Sequence, residues 1–231
     1  MAIPRITVLT SGRGSNLAAL LAAERDDRLG GTIAAVISNR IGIPALAIAE
    51  AQGVPGIVVP HRDYAERAAF DVALAAAIDA SEPDLVVLAG FMRILGPALV
   101  ARYEGRMLNI HPSLLPAYPG LDTHRRALSD GVRIHGCTVH FVTAALDHGP
   151  IVAQGAVPVR DGDDEGALAA RVLAVEHRLL PAAVRAFCTG RIAITGDRVQ
   201  VKGEIVPEAT LEVPASAEAL DALQAAGRAL R

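Results

Sequence analysis

Asn109 and His111 stand two residues apart, immediately before Pro112. In an extended strand that spacing turns both side chains to one face, and the proline biases His111 away from helix. A carboxamide and an imidazole that share a crevice can donate hydrogen bonds to an oxygen that gains negative charge. The imidazole can also carry a proton between reacting groups. A buried structural histidine would look the same at this level. Asp147, in Leu146-Asp147-His148-Gly149-Pro150, can supply a carboxylate that favours an imidazolium, but an aspartate in such a turn also serves as a cap for its own backbone. His61, His124, His135, His140, His148 and His177 show no zinc-ligand spacing. His140, between Val139 and Phe141, is expected to support the core or the floor of a site.

A second group is Ser11-Gly12-Arg13-Gly14-Ser15-Asn16, set between an apolar run and a helical pattern. Glycines permit a tight turn and close backbone approach, and a helix start presents free N–H groups to an anion. A phosphate monoester fits this description, and so does a simple helix cap with flexible glycines. The loop lacks the Gly-Lys-Ser/Thr of a nucleotide P-loop. As a dinucleotide fingerprint it is poor, because Leu17 replaces the third glycine and the next strand ends at Ser38-Asn39 without an acid.

These groups need a frame. Residues 6–9, 33–37, 57–59, 84–89 and 107–110 read as strands, and helical patterns over 17–23, 44–51 and up to about 80 lie between them. Asp63 and Glu66 suggest a capping box for the third helix. Strands that alternate with helices imply an α/β fold, with a mostly parallel sheet covered on both faces. Ligands bind such sheets at the carboxyl ends of the strands. The 11–16 loop, residues 90–95 and Asn109 with His111 all fall there. Beyond residue 130 the pattern changes: 134–142 and 151–159 read as antiparallel strands, joined too briefly for a parallel crossover. Residues 164–187 read as one amphipathic helix that Pro181 should kink or break. Residues 192–194 and 199–201 flank Gly196-Asp197 as a hairpin, and the chain from about 207 reads as a linker with a final helix.

Composition narrows the function classes. The chain has 231 residues, 52% of them hydrophobic, and a net charge of −3. That is enough to bury a sizeable core, and no basic face marks a nucleic-acid binder. Two cysteines make no disulfide framework, which points to a reducing cytoplasm. The N-terminus has no secretory pattern, and no apolar run is long enough to span a membrane.

In order and spacing, Ser-Gly-Arg-Gly-Ser-Asn at 11–16, Ala-Gly-Phe-Met-Arg-Ile-Leu at 89–95, Asn-Ile-His-Pro-Ser-Leu-Leu-Pro at 109–116 and Leu-Asp-His-Gly-Pro at 146–150 resemble the phosphoribosylglycinamide formyltransferase family. The likeness runs from about residue 4 to 202. It implies a Rossmann-like formyltransferase fold in a catalytic domain over 1–206, with a phosphate-binding half over about 1–100 and a folate and catalytic half over about 101–206. Residues 207–231 are then a C-terminal extension. It further implies Asn109, His111 and Asp147 as the catalytic triad. Gly14, Ser15 and Asn16 would hold the substrate phosphate, and Glu176 would lie near the substrate amine. Arg67, Met92, Arg93, Ile94, Leu95 and Asn109 would contact folate. The turn more often reads Asp-Gly-Gly-Pro in this family, and His148 here takes the first glycine position.

The activity implied is transfer of the formyl group of 10-formyltetrahydrofolate to the amine of glycinamide ribonucleotide, in purine synthesis. Neither metal nor ATP is expected, because the donor is already activated. Both partners are small molecules, with no nucleic acid and no membrane, and the protein is expected in the cytoplasm as a monomer or homodimer. The neighbouring alternative is a formyltetrahydrofolate deformylase, which normally carries an N-terminal regulatory module for which no room is expected before the first strand. A methionyl-tRNA formyltransferase would need a larger chain with a basic C-terminal domain. A non-catalytic phosphate-ligand sensor would not need the triad.

Overall fold

The structure is a computed structural model that describes residues 2–203 and 205. The extension read over 207–231 lies outside the described residues. Short apolar segments form the strands: β1 (Arg5–Thr10), β2 (Thr32–Ser38), β3 (Gly56–Val58), β4 (Leu85–Leu88), β5 (Met107–His111), β6 (Ile134–Phe141) and β7 (Ile151–Pro158). They build one sheet in the order β3-β2-β1-β4-β5-β6-β7. The first five are mutually parallel, whereas β6 and β7 run antiparallel. A separate hairpin pairs β8 (Ile192–Thr195) with β9 (Arg198–Val201).

The six α-helices among the described residues are α1 (Ser15–Arg25), α2 (Pro44–Ala51), α3 (Arg67–Asp79), α4 (Pro97–Arg102), α5 (Thr123–Ser129) and α6 (Glu165–Cys188). They cover both faces of the sheet, and β4 shows why. All four of its residues are buried. Leu85 and Val87 join one cluster with Leu17, Leu20, Val172 and Leu180 of α1 and α6, while Val86 and Leu88 join another with Phe70, Leu74 and Ile78 of α3. A strand with apolar residues at every position needs a cover on both sides, because successive side chains point to opposite faces.

Two local expectations need correction. The capping box at Asp63 and Glu66 does not form. His61–Asp63 is a short 3-10 turn, and α3 begins only at Arg67 after extended backbone at Tyr64 and Glu66, with no side-chain cap. Helix α6 does not break at Pro181 but runs through it to Cys188. Leu179, Leu180, Pro181, Ala183 and Val184 are all buried, so packing along this face offsets the missing main-chain hydrogen bond. Helices α4 and α5 are too short for a legible period and were not anticipated.

Candidate active site

The carboxyl ends of β1, β4 and β5 lie side by side, since Leu9 pairs with Leu88 and Leu88 with Asn109. The three motif segments therefore leave the sheet from the same edge. On β5, Asn109 pairs with His140 of β6 and His111 with Thr138. The His140 Nδ1–H donates to the Phe141 carbonyl at 2.9 Å. That fixes the tautomer and leaves Nε2 to accept from Asn109 Nδ2 at 3.1 Å. Burial pushes the His140 pKa below its ordinary value, which keeps the ring neutral and able to accept. One amide hydrogen of Asn109 is thereby spent on orientation, and a second remains for a ligand.

His111 is held at both nitrogens. Its Nε2–H donates to the Tyr118 carbonyl at 2.9 Å, and its Nδ1 faces Asp147 Oδ2 at 3.5 Å. The two side chains are only 6% and 8% exposed. Asp147 adopts a left-handed backbone with φ 54°. Its carboxylate reaches across to accept the Gly120 N–H at 2.8 Å and lies 3.8 Å from His140 Nε2. The turn residue therefore caps a distant loop instead of its own backbone.

That loop, residues 112–122, is stapled to the sheet. Leu115 N–H donates to Thr138 Oγ1 at 3.0 Å, the Thr138 hydroxyl donates to Ser113 O at 2.7 Å, and Gln154 Nε2 donates to Leu115 O at 2.8 Å. A cavity of about 380 Å³ opens between its Pro119 and Gly120 and the turn formed by Ala145, Leu146 and His148. His148 thus lines a wall, and its Nδ1–H donates back to the Leu146 carbonyl at 2.6 Å.

The glycine loop wraps from β1 into α1. Gly14, with φ 80°, is the N-cap residue and has no side-chain cap. A Cβ there would lie 2.8 Å from both Cα and Cβ of Ala45, so glycine is required by backbone geometry and by the approach of α2. A Cβ on Gly12 would meet nothing within 4 Å. Asn16 Nδ2 donates to Glu176 Oε2 of α6 at 2.7 Å, which joins two of the residues implied for the ribonucleotide. Glu176 is 6% exposed. Burial raises its carboxyl pKa, and the Asn16 hydrogen bond opposes that.

Met92 and Ile94 are 61% and 54% exposed, while Leu95 is buried. Arg93 lies over the Phe70 ring at 5.7 Å. Arg67 is exposed at the first turn of α3, one turn before Phe70. Apolar side chains flanked by two guanidiniums suit a flat aromatic ring with an anionic tail. Sequence reasoning missed the main-chain partners Tyr118 and Gly120, which carry no signal in residue type.

Residues 4–184 match the family model described as formyl transferase. Phosphoribosylglycinamide formyltransferase of Escherichia coli is 46% identical over 202 residues, which are 87% of this chain and 95% of that protein. The crystal structure of glycinamide ribonucleotide transformylase 1 from Symbiobacterium toebii superposes with a TM-score of 0.84 at 48% identity, covering 86% of this chain and 94% of that one. A formyltetrahydrofolate deformylase from Pseudomonas syringae superposes with a TM-score of 0.81 at 30% identity, covering 87% of this chain but 66% of that one.

Proposed function

The chain belongs to the formyl transferase family, and from that premise we propose that it moves the formyl group of 10-formyltetrahydrofolate onto the amine of glycinamide ribonucleotide. The products are formylglycinamide ribonucleotide and tetrahydrofolate, in purine synthesis. The observation that carries this reading is the 46% identity to the Escherichia coli enzyme across 95% of that protein. The His111–Asp147 pair at the carboxyl end of β5 gives it a chemistry.

The substrate amine attacks the formyl carbon, and the carbonyl electron pair moves onto oxygen. Asn109, oriented by His140, places its second amide hydrogen toward that oxygen. With His111 Nε2 committed to Tyr118, Nδ1 is the nitrogen that carries the exchangeable proton, and Asp147 stabilises the imidazolium. Collapse breaks the bond from the formyl carbon to the folate nitrogen, which takes up a proton, while the former amine loses one. The two transfers balance, so His111 and Asp147 act as a relay. Preorganised donors of this kind are worth about 10²–10³ in rate each.

Gly14, Ser15 and Asn16 bind the ribose phosphate at the start of α1, and Glu176 faces the amine. Arg67, Met92, Arg93, Ile94 and Leu95, with Asn109, bind the folate. A cytoplasmic monomer or homodimer that needs neither metal nor ATP belongs to the same reading. Among the described residues no helix is long and apolar enough to cross a membrane.

The test is to follow formyl transfer with each substrate omitted in turn. Folate-dependent formylation should require the ribonucleotide. Formate released at a comparable rate in its absence would favour the hydrolase.

A further inference from the structure

Between β4 and α4 the chain crosses the site as irregular backbone. Among the described residues the N–H groups of Arg93, Ile94 and Leu95 have no protein acceptor. A segment without internal hydrogen bonds needs holding from outside, and ordering it on binding would cost affinity. Both ends are held, each by a buried side chain from another element. At the start, Met92 N–H donates to Ser11 Oγ at 2.8 Å, and that hydroxyl donates onward to Asn39 Oδ1 at 2.6 Å. Ser11 N–H also donates to the Gly90 carbonyl at 3.0 Å. At the end, Gly96 N–H donates to Asp71 Oδ2 of α3 at 2.8 Å.

Asp71 is costly to keep. It is 8% exposed, and its Oδ1 is buried without a partner. A buried carboxylate that makes a single hydrogen bond is a poor way to stabilise a fold. The local sequence is shaped around it: a Cβ on Gly96 would lie 2.5 Å from Asp71 Oδ2.

We propose that Ser11 and Asp71 are positioning residues for folate, clamping the two ends of residues 92–96 so that Met92, Ile94 and the free main-chain groups are presented in the binding conformation. The proposal rests on the assignment of residues 92–95 to folate. Ser11 is also the first residue of the glycine loop, so one hydroxyl ties the backbone of that loop to the backbone of this segment.

The test is steady-state kinetics on the full chain with both substrates varied, alongside thermal melts. Asp71→Ala and Ser11→Ala should each raise KM for 10-formyltetrahydrofolate about tenfold, the scale of one lost hydrogen bond to a buried donor. For Asp71→Ala, which lies outside the glycine loop, KM for the ribonucleotide and kcat at saturation should stay within about threefold of the parent, whereas Ser11→Ala, whose hydroxyl also braces the glycine loop, is read on KM for folate alone. Asp71→Asn retains an acceptor oxygen and should recover most of the loss, which also covers the case in which Asp71→Ala does not fold. Equal rises in both KM values for Asp71→Ala, or Asp71→Asn no better than Asp71→Ala, would overturn the clamp. The exposed Ile94→Asp separates the two levels of the argument. If it raises KM for folate while the Ser11 and Asp71 variants do not, the clamp is wrong and the folate assignment stands. If none of these variants changes KM for folate, the assignment fails and the clamp with it.

Discussion

Nδ1 of His111 lies 3.5 Å from Oδ2 of Asp147, and the same carboxylate oxygen accepts the main-chain N–H of Gly120 at 2.8 Å. One side chain thus faces the candidate proton carrier and also ties down the loop whose Tyr118 carbonyl holds the far side of the ring.

The two duties can be separated. Asp147→Asn keeps an oxygen for Gly120 and removes the charge from His111. We expect kcat to fall by about 10² or more, the scale of lost acid–base assistance, with little change in the melting midpoint. Asp147→Ala should lower both. A rate within about tenfold of the parent for Asp147→Asn would leave Asp147 as a loop cap alone.

Asn109→Ala should lower kcat by about 10²–10³ through loss of an oxyanion donor, while both KM values change little. His140→Phe should cost less, about tenfold, because the Asn109 amide stays in place but loses the acceptor that aims it. Rapid kinetics on the purified, folded variants would show the order. A larger loss at His140 than at Asn109 would mean that His140 does more than orient the amide.

Glu176 carries a stability signature. Burial raises its pKa in the fold, so the folded chain holds that proton to higher pH than the unfolded chain does. Stability is therefore lost as pH rises from the ordinary glutamate range through the raised value. Glu176→Gln can still accept from Asn16 and has no charge to desolvate. Its melting midpoint should exceed that of the parent at pH about 8 and approach it near pH about 4. If Glu176 meets the substrate amine, the same variant should raise KM for the ribonucleotide about tenfold. Melts across pH and a substrate titration test the two halves independently.

His135 works in the opposite sense. It is 1% exposed, its Nε2 pairs with His124 Nδ1 at 3.2 Å, and burial first, then His124, lowers its pKa to about 4. The unfolded ring takes up a proton near its model value of 6.5 while the folded ring does not. Stability should fall as pH drops from 6.5 towards about 4 and flatten below. Denaturant titrations of His135→Gln should show a shallower slope in that window. An unchanged slope would mean that other groups control acid sensitivity here.

Much of the frame was legible because its signals are local. Buried parallel strands are continuous apolar runs, so β1, β2, β4 and β5 could be read directly, and the loss of alternation with helices after residue 130 marked the antiparallel pair. The hairpin at Gly196-Asp197 was legible from its turn residues. Helix boundaries set by tertiary contact were less so: the start of α3 at Arg67 and the passage of α6 through Pro181 depend on what packs against them.

The candidate site divides the same way. Residue type and spacing alone placed Asn109 and His111 on one face of a strand, because the period of an extended chain is a local property. Whether Asp147 caps its own turn or faces His111 could not be read from the chain. That depends on the pairing of β5, β6 and β7, which brings together residues 36 positions apart. The same holds for Asn16 with Glu176, and for Ser11 and Asp71 at the two ends of residues 92–96. Sequence determines which groups are available and which way each faces along its own element. The distances between them arise only when the sheet forms, since hydrogen bonds and charge pairs across elements depend on three-dimensional proximity and leave no trace in chain order.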